Sequence, residues 1–384
     1  MDHGPAILSA VVLSALGAMF YNLLPLFVGV AQDYRELDNR SVGVLSSMFF
    51  AGYTLTASSA FFWIRRIEWK RMAMFSLLVG SVALSLAAFA QNFTALMLWV
   101  FVAGGAFSVV YGIGATALGD TSEPARWYGF KISVEALLGA ILLFLLPRTL
   151  VASHGFVGLM AGMVLVVAML GPALIWLPRS GYKRYGSTSR KTNIPVQLRV
   201  ALWIGLFAAM AFVFSATMIW TFLERLANSA GFEPDPVGRV LSLTLVFAML
   251  GSLSAMVLGG RFGLARPFTA ATVIFLLALG FLYGDISFTR FAVGSCLLTL
   301  AIGLGITYVI TIVASLDMDG RYVALTVPAI GIGVMAAPAV GGLLTATDEF
   351  SAILRVCGLT VVLALSAGLT AIHRGSRSLP KLEP

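Results

Sequence analysis

The sequence predicts an all-α integral membrane protein with twelve transmembrane helices, and three observations carry that expectation. Hydrophobic residues make up 59% of the 384-residue chain and charged residues only 11%. The apolar residues gather into twelve stretches separated by short charged loops. Each stretch is about as long as a bilayer is thick, because a helix rising 1.5 Å per residue needs roughly 20 apolar residues to cross a ~30 Å hydrocarbon core.

Reading from charge to charge gives the spans in order. The first, 5–31, has no basic segment before it and is too long for a cleaved signal, so it is expected to remain in the mature chain. Spans at 42–64 and 72–90 are divided by the basic run Arg65, Arg66, Lys70 and Arg71; spans at 95–118 and 127–151 are divided by Asp120, Glu123 and Arg126. The sixth, 155–178, is almost wholly apolar and suits a lipid-facing helix. Beyond a basic stretch follow 200–223, 237–260, 267–284, 291–316, 323–347 and 351–372. Cys296 and Cys357 fall inside spans with no CxxC spacing, so neither a disulfide framework nor a metal site is expected, and no cofactor.

The net charge of +8 bears on topology rather than on nucleic acid, for which no role is expected. With the N-terminus in the cytoplasm, eighteen of the twenty-five Lys and Arg residues fall on the cytoplasmic side. Both termini are therefore expected there, in a bacterial inner membrane contacted only by lipid, small molecules and protons, with the chain a monomer. Segment 179–199, RSGYKRYGSTSRKTNIPVQLR, carries six basic and no acidic residues. It reads as a linker between helical bundles at 1–178 and 200–372, with 373–384 a cytoplasmic tail. Its charge is a topology signal lying against anionic headgroups, each base contributing about 1 kcal/mol, or a regulatory segment.

The two halves echo each other in their loops. Leu118, Gly119 and Asp120, then Arg126, Trp127 and Tyr128, answer to Ser315, Leu316 and Asp317, then Arg321 and Tyr322. The basic hairpin from Arg65 to Arg71 answers to the one from Gly259 to Arg266. With these features the chain resembles the major facilitator superfamily of secondary transporters, across nearly its whole length. That family has two pseudo-symmetric six-helix bundles, a long central cytoplasmic loop and basic hairpins at these two places. Individual motifs depart from the family pattern. Of the hairpin sequence Gly, then Asp-Arg-x-Gly-Arg-Lys, only Arg261, Phe262 and Gly263 survive, Gly260 replacing the acid. In the first hairpin Arg65 or Arg66 stands for the acid and Glu68 for the glycine. The basic residue expected early in span four is missing between Trp99 and Gly105, and the exporter-associated Gly-Pro-x-x-Gly-Gly pattern of span five has a relative only in span eleven, at Gly333, Ala337, Pro338, Gly341 and Gly342.

Glu135 is the acid lying well inside an apolar stretch. Burial in a low dielectric favours the neutral carboxyl, so a group alternating between wet and sealed surroundings can load and release a proton. Lys131 stands one turn earlier on the same face, so a purely structural ion pair is the other reading. The resemblance implies that spans one, four, seven and ten line a central cavity. Their polar and aromatic residues are Tyr21 and Asn22, with Pro25 one turn later; Ser108, Tyr111 and Thr116; Ser215, Thr217, Trp220 and Thr221; and Thr307, Tyr308 and Thr311. Each could equally serve helix packing. No Lys or Arg is expected at mid-depth, which favours neutral, amphipathic or cationic solutes over multiply anionic ones. Glycines 104, 105, 112, 114, 303, 305, 331, 333, 341 and 342 suit helices that approach closely and move.

The resemblance also implies a cytoplasmic latch: Asp120 and Glu123 near Arg65, Arg66 and Arg126, and Asp317 and Asp319 near Arg261, Arg266 and Arg321, with simple loop solvation as the plainer reading. An enzyme would need chemistry within the helices, yet there is no HExxH motif, and His3, His154 and His373 lie near span ends. Neither channel filter loops nor a nucleotide-binding loop are visible. The expectation is therefore proton-coupled, alternating-access export of a small organic solute. The alternatives are an uptake symporter of the same fold, or a substrate sensor on a transporter scaffold.

Overall fold

A computed structural model of the chain describes residues 3–180, 195–259, 261–317, 322, 325–345 and 350–378. It is all-helical, with no strand among those residues. Before the linker come α1 (Gly4–Asn22), α2 (Leu24–Arg35), α3 (Asn39–Trp63), α4 (Trp69–Phe89), α5 (Phe93–Gly119), α6 (Pro124–Leu145) and α7 (Leu150–Leu170). After it come α8 (Val196–Ser229), α9 (Pro234–Leu258), α10 (Ala265–Phe281), α11 (Phe288–Leu316), α12 (Thr326–Leu344) and α13 (Ser351–Ser378). Every expected stretch is helical over most of its length. Ten of the helices are long and apolar enough to cross a membrane; α10 is shorter, and α3 is more polar. Cys296 and Cys357 are buried free thiols.

Two boundaries differ from the sequence expectation for physical reasons. The first span is two helices broken at Leu23, where ψ is 2°. Pro25 has no N–H to give the carbonyl of Tyr21, four residues earlier, and its ring crowds that carbonyl, so the ladder stops there. Span seven does not end at Leu223. A run of apolar residues bounded by a charge marks a minimum, and α8 carries Glu224 and Arg225 onward to Ser229.

Bonds between turns define two ends. At the linker end, Trp69 donates its backbone N–H to the carbonyl of Arg179, and Arg65 meets Asp120. At the opposite, far end, Arg35 closes the last turn of α4 by donating to the carbonyls of Ala87, Ala88 and Ala90. Asp38, Asn92 and Ser287 cap α3, α5 and α11 there by accepting N–H bonds from Ser41, Ala95 and Arg290.

Within each set, a glycine-on-backbone crossing fixes two helices. A Cβ at Gly52 would run into the carbonyl of Phe101, and one at Gly104 into that of Phe49, so α3 and α5 touch through their main chains. After the linker, Gly251 lies on the carbonyl of Leu300 and Gly303 on that of Ala248, joining α9 to α11. Both glycine pairs repeat at a separation of 199 residues, as do Tyr21 and Trp220. The repeat legible in the loops is thus also written into the helix crossings.

Candidate functional site

The two helix sets meet along a seam made by α3 with α12, α6 with α9, and α2 with α8. Most of the bonds that cross it sit toward the far end, that of Thr54 lying deeper. Asn39 donates to the carbonyl of Thr345 (2.8 Å), the Ser47 hydroxyl accepts from the N–H of Ala339 (2.9 Å), and Thr54 donates to the carbonyl of Gly331 (3.1 Å). Ser242 donates to the carbonyl of Ala140 (2.7 Å), and Arg148 pairs with Asp235 at 2.5 Å. Gly43 lies on the backbone of Pro338, and Gly342 on that of Asn39, an approach no side chain would permit. The far end is therefore sealed. Among the described residues α5 and α11 make no extended contact toward the linker end.

Below this seal lies the polar centre. The Lys131 ammonium stands 2.6 Å from a Glu135 carboxylate oxygen, one turn apart on α6, and the two side chains are 3% and 12% exposed. The same ammonium donates to the Tyr111 hydroxyl at 2.8 Å, with the Tyr111 ring centroid 4.1 Å away. Tyr53 extends the aromatic wall, its ring 6.1 Å from that of Tyr111. Gly17 admits α1 against the Tyr111 backbone. One turn on, Asn22 donates to the carbonyl of Glu135 at 2.9 Å, which ties the break in the first span to α6. Gly139 makes room for that contact, since a Cβ there would meet Asn22 and Leu245.

Trp220 closes the group from the other set, its indole N–H donating to the carbonyl of Tyr21 at 2.9 Å. That carbonyl is the one Pro25 deprives of its helical donor. The structure thus brings Tyr21, Asn22, Tyr111, Glu135 and Trp220 together at the seam. Thr217 is fully buried beside the Tyr21 side chain.

Other sequence-nominated residues serve the helices. Ser108 donates to the carbonyl of Tyr53, binding α5 to α3, and Thr116, Ser215, Thr221, Thr307 and Thr311 donate to carbonyls one turn back on their own helices. Tyr308 reaches the carbonyl of Gly259, at the linker end of α9 and away from the polar centre. The expectation of no base at mid-depth is corrected: Lys131, seven residues into α6, is buried against Tyr111 and Glu135. Its ionic partner was legible from i,i+4 spacing, but its aromatic partner, on another helix, was not.

At the linker end Arg65 holds Asp120 in a two-pronged contact of 2.7 and 2.8 Å, and Asp120 is only 2% exposed. The carboxylate raises the pKa of Arg65 further. Both residues belong to the first set, so the pair joins the α3–α4 turn to the end of α5 rather than one set to the other. Arg126 pairs locally with Glu123, while Arg66 and Arg261 lie in the linker-end turns and Arg266 in the first turn of α10. Asp317 ends α11; Asp319 and Arg321 lie outside the described residues.

Comparison with known proteins agrees with this architecture. The chain superposes on a D-xylose-proton symporter with a TM-score of 0.77 at 11% identity, covering 94% of this chain and 96% of that one. The nucleoside transporter NupG gives 0.73 at 13% identity, covering 96% and 99%. A bacterial homologue of the human lysosomal transporter Spinster, inward-facing and unoccupied, gives 0.66 at 13% identity, covering 97% of each. At such identities the likeness is one of fold. No curated protein sequence matches the chain significantly. The family model of the Major Facilitator Superfamily, however, matches residues 7–316, and with the paired glycine crossings and the seam between two helix sets this places the chain in that superfamily.

Proposed function

We propose that the chain is a proton-coupled secondary transporter that moves a small organic solute by alternating access, with Glu135 as the coupling carboxyl. The observation that carries this reading is the buried contact of Lys131 with Glu135 and Tyr111, set against the seam and tied to the break in the first span. A carboxylate on that seam changes surroundings whenever the two sets rock, so its affinity for a proton changes with the motion. While ionised it neutralises Lys131, which leaves this polar centre without net charge. Neutral, amphipathic or cationic solutes therefore suit it better than multiply anionic ones, with Tyr21, Tyr53, Tyr111 and Trp220 offering ring faces.

The bias of Lys and Arg toward the linker end supports a cytoplasmic placement of that end, in an inner membrane. A chain sealed at the far end is then facing inward, ready to load solute for export, the direction set ahead of uptake here. The test is transport by purified protein in proteoliposomes with an imposed pH gradient. Wild-type protein should accumulate solute uphill, while Glu135→Gln should allow only downhill exchange. Uphill accumulation by Glu135→Gln with an unaltered pH dependence would overturn the assignment and leave the pair a structural one.

A further inference from the structure

A second group of ionisable side chains stands in the far-end seal. Because α8 runs past its apolar stretch, Glu224 and Arg225 are carried against α2. Arg225, 9% exposed, pairs across the seam with Asp33 at 2.9 Å, and its Nε lies 2.9 Å from Glu224 Oε2. Consecutive helical residues do not face each other, so this second contact is close without being aligned. Glu224 Oε2 and Arg225 Nε and Nη2 accordingly have no hydrogen-bond partner among the described residues. Gly29 of α2 is pressed against the cluster: a Cβ there would come 2.6 Å from Glu224 Oε2 and 2.9 Å from Arg225 Nη2.

Two carboxylates thus share one guanidinium in a closed seam. Of the other charged groups on neighbouring elements, Glu36 at the end of α2, Arg40 of α3, His154 of α7 and Glu233 ahead of α9 are exposed at the far end, and several more are engaged by other partners. Arg35 of α2 serves the carbonyls that end α4, and Asp235 of α9 is held by Arg148 and Arg239. Arg290 of α11 donates to the carbonyls of Gly280, Tyr283 and Asp285, and Arg355 of α13 to Ser351. Asp348 and Glu349 lie outside the described residues. Asp33 is 54% exposed, which leaves the cluster a route to water at the far end.

We infer that Glu224 is a second proton-binding site of the carrier, occupied as the far end seals. Opening the seam returns Glu224 to water, where its charge is cheap. Closing it strands a surplus negative charge beside Arg225 and Asp33. A proton taken from far-side water forms an O–H bond on the Glu224 carboxylate, cancels the surplus and leaves Arg225 to Asp33 alone, across the seam. A ligand that binds one state more tightly shifts the population toward it, so acid should favour the sealed state. This inference rests on the seal and not on the role given to Glu135.

The test is a distance measurement between spin labels at Arg40→Cys and Ser229→Cys, on the full chain in nanodiscs, with the native buried cysteines replaced by alanine. The ratio of short to long distances should rise as pH falls, by up to tenfold per pH unit for one proton. Glu224→Gln, which mimics the protonated acid, should favour the short distance and lose the part of the slope that Glu224 supplies, the remainder vanishing when it is combined with Glu135→Gln, and Glu224→Asp should restore the lost part. Glu135→Gln should keep the slope that Glu224 supplies while losing uphill transport. A wild-type slope in Glu224→Gln, no slope in the wild type, or a slope abolished by Glu135→Gln alone would overturn the inference.

Discussion

Trp220→Phe isolates the bond that Pro25 makes available. The indole N–H lies 2.9 Å from the carbonyl of Tyr21, and Trp220 is almost fully buried, so phenylalanine keeps most of the ring and deletes the donor. Hydrogen bonds between membrane helices contribute about 0.6 kcal/mol on average and up to about 1.7. Because this bond crosses the seam, its loss should shift the sealed-to-open ratio by roughly 3- to 18-fold toward open, read from the same pair of spin labels. The decisive comparison is a double-mutant cycle with Pro25→Ala. Alanine gives position 25 an N–H, which lies four residues beyond Tyr21 and can satisfy its carbonyl within the helix. In that background Trp220→Phe should cost much less. An equal shift in both backgrounds would show that the proline-freed carbonyl is not what holds Trp220.

Asp120→Asn should lower the thermal midpoint of the purified protein, since it breaks a two-pronged charged contact with Arg65 to a buried carboxylate, a loss of about 1 to 2 kcal/mol; an unchanged inward-to-outward balance would confine the pair to holding its own helix set. Gly104→Ala should prevent a well-behaved fold, because its Cβ meets the Phe49 backbone, whereas Gly280→Ala, with nothing within 4 Å, should be silent in expression and size-exclusion profiles. The Asp38 carboxyl is held below its ordinary 3.8 by bonding to Ser41, its hydroxyl first and its N–H second. This cap therefore stabilises the chain above that pH and loses its contribution as pH falls through the depressed value. Asp38→Asn should keep the cap and remove that part of the acid dependence, and Asp38→Ala should cost about 1 kcal/mol at neutral pH in chemical denaturation.

The helices were legible in the sequence because the bilayer imposes one length on each apolar run. The pairing of Lys131 with Glu135 was legible because four residues make one turn. Contacts set by how helices cross were not: nothing in a linear reading brings Tyr111 to Lys131 or Trp220 to the carbonyl of Tyr21. Charge-to-charge reading also stopped span seven one residue short of Glu224 and so hid the Arg225 cluster, even though a Glu-Arg pair continuing a helical run was the available signal. Ser108, Thr307, Tyr308 and Thr311 were nominated by composition, and they bond to backbone because a hydroxyl in an apolar medium takes the nearest free carbonyl.

The main-chain crossings of α3 with α5 and of α9 with α11 leave no layer of side chains between those helices where they touch. Each set should behave as a stiff plate, so freedom of movement is concentrated in the seam and in the interrupted first span. A molecule wedged between α3 and α12 would therefore stall the whole cycle instead of deforming one corner of it, which makes that thin joint the place where a conformation-trapping inhibitor or nanobody would have the greatest leverage.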